Sequence, residues 1–204
     1  MVSPSKIGVW SLDIIMSRST FSDAIRLAGA LLISFASSHT ALAGETAFKN
    51  GQFRFGASTH GIASAETGTT DANFEWIMPA LDIGSFASSN GLSLHPQVGT
   101  DLNLQGKTSA VFAGFAGVIT LQGGVFIEAD LGGSVNNGYT SNPPAGSNRS
   151  ELGCNALFRE AFVVGVPLSD RLSVMATAEH MSNANLCQPN NGITNVGLKL
   201  GYSF

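Results

Sequence analysis

The chain has 204 residues, 24 of them glycine, with only 12% charged residues and a formal net charge of −4. This length fits one domain, and the weak acidic charge gives no basis for binding nucleic acid. The mean hydropathy of +0.20 is high for a soluble domain. However, no stretch after residue 45 approaches the roughly 20 apolar residues of a transmembrane helix, which excludes a helical membrane bundle.

The N-terminus has the pattern of a secretory signal. Arg18 and Arg26 precede an apolar core over residues 27–36, and Ala41-Leu-Ala43 supplies small residues at a cleavage site. We predict cleavage after Ala43, which leaves residues 44–204 as the mature domain, and Met16 is an alternative start. A retained membrane anchor is the other interpretation, but the apolar core is short for a span.

The mature chain contains eight runs in which apolar residues alternate with polar or small ones, separated by breaks rich in glycine and asparagine. A polar loop follows the fifth run from residue 132, and the chain ends on an aromatic residue. Eight runs of this length predict an all-β fold, an eight-stranded antiparallel up-and-down transmembrane β-barrel. The runs cover residues 52–60, 71–78, 94–104, 108–118, 121–131, 153–166, 171–182 and 194–204.

The two faces of these runs differ in polarity. If the apolar faces meet lipid, the charged side chains point into the lumen, where both signs can pair and fill it. A soluble sandwich or lipocalin-like barrel, with its polar faces outward, is the alternative. His60 and His95 lie on the same polar faces and are predicted lumen residues. The inward charges are Arg54, Glu75, Asp101, Glu128, Glu179 and Lys199.

With the N-terminus on the periplasmic side, the odd-numbered strands run outward. The predicted exterior loops are then 62–70, 105–107, 132–152 and 183–191, and the periplasmic turns are 79–92, 118–120 and 167–170. The end of the seventh strand, which carries His180 and Ser182, is therefore predicted to lie in the outer leaflet.

His180 and Ser182 continue the apolar face of the seventh strand. Residues i and i+2 of a strand point to the same side, so a base and a nucleophile share one surface here. Polar groups at membrane depth are costly and usually functional. The alternative is a histidine at headgroup level beside a serine without a role.

The closing stretch resembles the signature of the lipid A 3-O-deacylase (PagL) family, also described as acyloxyacyl hydrolase-like. The pattern is His-x-Ser-Asn-Ala from His180, a loop with Gln188-Pro-Asn190, and Gly192-Ile193 leading into the last strand. Phe158-Arg-Glu160 and Asn73-Phe-Glu-Trp76 also look like this family. The similarity is clear over residues 153–204 and looser upstream.

This resemblance implies an outer-membrane serine esterase that removes the 3-O-linked 3-hydroxyacyl chain of lipid A. Ser182 would be the nucleophile and His180 its base, and Asn183, with the backbone amides after it, would match the oxyanion-hole position. The partner would be lipid A or lipopolysaccharide of the outer leaflet. No metal or other cofactor is implied, and whether the chain forms a homodimer stays open.

The chain departs from the family at one position. Fourteen residues after the histidine the family carries an acid that orients the imidazole, and here that residue is Thr194. The chain is then either a dyad enzyme with a weaker orienting group or a barrel with reduced or altered activity. A non-catalytic barrel with a structural or surface-interaction role is the alternative function, and another lipid-modifying barrel, such as an acyltransferase, is a third.

Cys154 and Cys187 would face an oxidising compartment after export. Cys154 lies at the outer end of the sixth run and Cys187 in the last outer loop, so a disulfide would fasten that loop beside the site. Two free thiols are the alternative, because cysteines whose Cα atoms lie more than about 7 Å apart cannot be bridged.

Overall fold

The computed structural model describes residues 48–84 and 91–204. Each strand pairs antiparallel with its neighbour in sequence, and the first strand closes on the last, which confirms the predicted eight-stranded barrel. No helix in these two ranges is long and apolar enough to cross a membrane. The strands are β1 Gln52–His60, β2 Thr69–Ile77, β3 Leu92–Asn103, β4 Ala110–Thr120, β5 Phe126–Asn136, β6 Ala156–Pro167, β7 Leu172–Ser182 and β8 Ile193–Ser203.

The predicted signal segment, residues 1–43, and the alternative start at Met16 lie outside the described residues and stay predictions. The described part begins at Phe48, which is buried below the strands. Its ring packs against the rings of His95 and Phe126, with centroids 5.2 and 5.1 Å away. Phe48 therefore closes the end of the lumen at which β1 begins and β8 ends, which we call the terminal end.

The strands place apolar side chains outside and charged ones inside. Phe55, Phe115 and Leu131 are between 50% and 69% exposed on the outer wall. The six charged residues predicted to point inward are all at most 5% exposed, so that prediction is confirmed: Arg54, Glu75, Asp101, Glu128, Glu179 and Lys199. His60 and His95 are also buried on the lumen side.

Paired charges fill the lumen. Arg54 donates two hydrogen bonds to the carboxylate of Glu128, at 2.6 and 2.7 Å. Arg159 bonds Glu179 at 2.7 Å through Nε and reaches Glu75 at 3.3 Å. Buried charges are tolerated when they are paired and hydrogen-bonded, so this network allows a polar interior in so narrow a barrel.

The sequence misplaced β5. The run predicted over residues 121–131 is a strand over Phe126–Asn136, and Gln122–Gly124 forms a 3₁₀ turn in which Gly123 and Gly124 have φ of 80° and 77°. Gly132 was read as the start of a loop, yet it pairs with Gly114 of β4. A Cβ on Gly132 would lie 2.8 Å from the Cα of Gly114, so glycine here permits close strand contact and does not end the strand.

Four connections lie at the opposite end of the barrel, which we call the loop end. They are residues 61–68, 104–109, 137–155 and 183–192, close to the predicted exterior loops. The third begins five residues later than predicted because β5 continues to Asn136. The described connections at the terminal end are 78–84, 121–125 and 168–171, with residue 91 just before β3.

Glu66 ties the loop end together. Its buried carboxylate accepts hydrogen bonds from the backbone N–H of Thr108 at 2.8 Å and of Ser150 at 3.0 Å, and it lies 3.1 Å from His60 Nε2. Burial alone would raise the pKa of Glu66, but the hydrogen bonds from His60, Thr108 and Ser150 outweigh it and lower that pKa to about 2. Three loops are thus joined through one carboxylate above the lumen.

Candidate active site

The last two strands bring the predicted site residues to one part of the outer wall. His180 lies on β7 and pairs directly with Thr194 on β8. Ser182 is the last residue of β7, two positions beyond His180 toward the loop end. All three are partly exposed and face outward, whereas their neighbours Glu179, Met181 and Asn195 are buried in the lumen.

His180 makes one side-chain hydrogen bond. Its Nδ1 lies 2.9 Å from the hydroxyl oxygen of Thr194. A histidine that acts as a base through Nε2 carries its proton on Nδ1, and in that tautomer Nδ1–H donates and the Thr194 hydroxyl accepts. Thr194 therefore stands where a triad acid would stand, and it can hold the ring without supplying a negative charge.

Gly192 leaves room for the imidazole. A Cβ at this position would lie 2.7 Å from His180 Cε1 and 3.0 Å from His180 Nε2, closer than side chains normally approach. The Nε2 side of the ring is therefore turned toward the outer end of β7 and the start of β8. That is the direction in which Ser182 lies.

Ser182 is available for chemistry. Within the described residues its hydroxyl takes no hydrogen-bond partner, and it shares the outer face with His180. Phe158 on β6 pairs with it and is 56% exposed, so the serine borders an apolar surface. Catalytic hydrogen bonds often form only when substrate is bound, so an unengaged nucleophile beside a base is compatible with catalysis.

Asn183 follows the serine but turns inward. Its side chain is buried, and its amide nitrogen donates to the carbonyls of Leu152 at 2.8 Å and Pro189 at 3.2 Å. Its backbone N–H donates to the side-chain oxygen of Asn190 at 3.0 Å. With these donors engaged, Asn183 fixes the path of the last loop.

The next two residues present free backbone amides. Ala184 and Asn185 have φ of 51° and 65°, which is uncommon for residues other than glycine. Neither N–H has an acceptor within the described part of the chain, and both residues are exposed beside Ser182. Adjacent unpaired N–H groups close to a serine can stabilise an oxyanion.

A disulfide joins the last loop to the start of β6. Cys154 and Cys187 are bonded, with their Cα atoms 5.9 Å apart. A Cβ at Gly153 would approach Asn183 Nδ2 to 2.6 Å, so the chain beside the disulfide packs tightly on the loop after Ser182. The crosslink therefore restrains the segment that carries the free amides.

A polar cavity of about 460 Å³ opens at the loop end, between three loops. Arg149 and Glu151 line it, and Gly192 lies on its border. No group of three or more His, Cys, Asp or Glu in residues 48–84 and 91–204 is arranged to hold a metal ion.

Sequence reasoning missed two residues beside His180. Gly192 and Glu160 were each used only as part of a family motif, with no role of their own. Period-two alternation from Arg159, which points inward, already places Glu160 on the outer wall. What the sequence lacked was the pairing register, which sets Glu160 directly opposite His180.

The family model described as Lipid A 3-O-deacylase (PagL) matches residues 42–203. The chain belongs to this family. The resemblance seen in the closing stretch is therefore confirmed, and it extends over all eight strands.

A solved structure of an outer-membrane enzyme shares the fold. The crystal structure of the outer membrane enzyme PagL has a TM-score of 0.54 at 18% identity, over 75% of this chain and 99% of that one. A de novo designed transmembrane β-barrel has a TM-score of 0.49 at 11% identity, over 76% and 94%. No curated protein sequence matches.

Family membership gives this barrel an activity and a location. The family is one of ester hydrolases that act on lipid A, and its structurally characterised relative is an outer-membrane enzyme. Lipid A deacylation in the outer membrane, as predicted from the sequence, is confirmed at this level.

Proposed function

We propose that this chain removes the 3-O-linked 3-hydroxyacyl chain of lipid A with Ser182 as nucleophile and His180 as general base. The observation that carries the proposal is the outward-facing His180, hydrogen-bonded to Thr194 and two residues from an unengaged serine. Membership of the deacylase family supports this assignment.

The reaction has two halves. His180 Nε2 takes the Ser182 proton while the serine oxygen attacks the ester carbonyl, and the amides of Ala184 and Asn185 bind the resulting oxyanion. The imidazolium then gives its proton to the leaving 3-hydroxyl of the sugar, which leaves an acyl-serine. Water, deprotonated by His180, hydrolyses the acyl-serine and releases a 3-hydroxy fatty acid. Asn183 was predicted at the oxyanion-hole position, but its backbone and side-chain N–H groups are engaged within the loop, so we assign the oxyanion to the two amides after it.

The substrate divides between two surfaces. The acyl chain lies along the apolar wall that begins at Phe158, which is exposed beside Ser182. The sugar lies toward the loop end, which faces the cell exterior, because headgroups and water replace the hydrocarbon there. The ester that links the acyl chain to the sugar of lipid A would thus lie beside Ser182 at the end of β7.

Expression in a Gram-negative host whose lipid A carries a 3-O-hydroxyacyl chain tests the proposal. Mass spectrometry of lipid A should show loss of one ester-linked 3-hydroxy fatty acid. Ser182→Ala and His180→Ala should each abolish this loss, with rates lowered by about 10³-fold or more. Ser134→Ala is the matched control, because that serine is buried on the lumen side and should leave the activity intact.

The neutral residue at position 194 also favours a second candidate function. Because a neutral residue occupies the position of the acid, a barrel without catalysis, with a structural or surface-interaction role, is the competing hypothesis. Unchanged lipid A from the wild-type protein, at verified outer-membrane levels and in the heat-modifiable folded form, would rule out the deacylase and favour this second function.

A further inference from the structure

The outer wall carries one acidic side chain. In the eight described strands, every other charged or histidine side chain points into the lumen, apart from His180 itself. The exception is Glu160 on β6, which is exposed between Phe158 and Phe162. A carboxylate on a wall that faces lipid is costly, so its presence there needs a reason.

Glu160 lies directly opposite His180. The two residues are partners in the β6–β7 ladder, where facing Cβ atoms are about 4.5–5.5 Å apart and side chains point to the same side. Across β5 its partner is Leu131, which is apolar. Glu160 has no hydrogen bond or ion pair within residues 48–84 and 91–204, so its charge is not neutralised by another residue.

His180 needs a negative charge that its hydrogen-bond partner does not supply. The imidazole becomes a cation when it takes the Ser182 proton, and the Thr194 hydroxyl offers only a dipole to Nδ1. The other nearby carboxylate, Glu179, lies on the lumen side and is bound to Arg159 at 2.7 Å. From β8 and the last loop, Thr194 and Gly192 face the ring, and neither of them is charged.

We propose that Glu160 replaces the missing acid of the triad as a positioning residue, stabilising the His180 imidazolium across the β6–β7 ladder. This rests on the proposed deacylase function and deepens it. The acid acts through space from the strand on one side of His180, while Thr194 holds Nδ1 from the strand on the other side. The carboxylate can act on the imidazole directly, because facing side chains of a ladder are close together and point to the same side.

Steady-state kinetics of the purified, micelle-folded protein on lipid A test the idea. Glu160→Gln should lower kcat about tenfold with KM nearly unchanged, because the charge matters only when the imidazolium forms. The acid limb of the pH–rate profile should move down by about one pH unit. Glu160→Asp should recover most of the rate, and Asp170→Asn, at the terminal end of the same hairpin, should change nothing.

A second substitution sharpens the test. Thr194→Glu places an acid at the family position, so it should raise kcat, and Glu160→Gln should then cost less than twofold in that background. Such non-additivity is expected only if both carboxylates serve the same imidazole. Equal losses in the two backgrounds, or a Glu160→Gln variant that raises KM alone, would overturn the inference.

A readout without catalysis separates this inference from the proposed function. NMR titration of labelled histidines in the folded protein follows His180 directly, with His60 and His95 as internal references. Glu160→Gln should lower the titration midpoint of His180 by about one pH unit. An unchanged midpoint overturns the role of Glu160 even if the wild type deacylates lipid A. If Glu160→Gln lowers the midpoint of His180 but the wild type does not deacylate lipid A, the electrostatic pair is retained and the proposed deacylase function is rejected.

Discussion

The lumen and the outer wall near the loop end hold polar residues in opposite states. Inside, Arg159 contacts Glu179, Glu75 and Asp130, and its guanidinium lies 3.7 Å above the ring of Phe112. Outside, His180 has a single neutral hydrogen-bond partner. Charges in the lumen are engaged with one another, whereas the polar residues on the wall are left available to a ligand.

The difference follows from what surrounds each face. A buried charge without a partner costs several kcal/mol, so the lumen tolerates charges only as a connected network. The end of β7 borders exposed loop residues, where a polar group can stay unpaired at lower cost. Substitutions in the lumen should therefore change stability with little effect on rate, and substitutions on the wall should do the reverse.

Arg159→Met should give the largest loss of stability. It leaves the Glu179 and Asp130 carboxylates buried without their guanidinium, which costs about 3–5 kcal/mol. Urea unfolding of the protein refolded in micelles or vesicles, followed by tryptophan fluorescence, measures the free energy of unfolding. The rate per folded molecule should stay within about threefold of wild type, because Arg159 points away from the wall.

Two further variants test the interpretation of Arg159→Met. Arg171→Met removes an exposed arginine at the terminal end, whose side chain hydrogen-bonds Tyr202, and should leave the unfolding midpoint unchanged within error. Adding Glu179→Gln to Arg159→Met should recover part of the lost stability, because the stranded charge is gone. A fully stable Arg159→Met protein that has lost its activity would contradict the division between lumen and wall.

Glu66→Gln should produce a smaller loss that depends on pH. The folded pKa of Glu66 is lowered from its ordinary value of 4.5 to about 2, so its contribution is present above pH 4.5 and is lost as the pH falls toward 2. At pH 7 the variant should be less stable by about 2 kcal/mol, allowing for water near the loops.

The measurement compares the two unfolding free energies across the acidic range. The gap between wild type and Glu66→Gln should narrow steadily from pH 5 to about pH 2, whereas Asp170→Asn, an exposed carboxylate at the terminal end, should show no such gap. If the difference in unfolding free energy between wild type and Glu66→Gln persists at pH 2, the shape of the Glu66 side chain, and not its charge, joins the loops.

The barrel itself could be predicted because period-two alternation fixes which residues face inward. Arg54 and Glu128 are far apart in sequence, but their inward positions already implied that they could pair. The error at β5 has a specific cause. Glycine both ends strands and lets them approach closely, and only the position of Gly132 opposite Gly114 distinguishes the two.

The site was predicted in part for the same reason. Alternation placed His180, Ser182 and Thr194 on one face, and the structure adds the hydrogen bond between His180 and Thr194. Glu160 could not be assigned to His180, because the alternation within a strand carries no information about its register with the next. The inward turn of Asn183 also depends on contacts with Leu152 and Pro189 that a local motif does not contain.

Thr194→Val, a substitution on the outer wall, should have the smallest effect on activity and stability. The substitution keeps the shape of the side chain and removes the hydroxyl that accepts a hydrogen bond from His180 Nδ1. Losing this hydrogen bond costs about 1 kcal/mol of free energy that orients the ring, so kcat should fall about fivefold. The unfolding free energy should not change measurably, because Thr194 is partly exposed. Thr194→Ser, which keeps the hydroxyl, should retain most of the rate. Equal losses in Thr194→Val and Thr194→Ser would contradict this role, because Thr194→Ser retains the hydroxyl that is argued to hold the imidazole. Full activity in Thr194→Val would mean that the Glu160 carboxylate on β6 is enough to hold the imidazole.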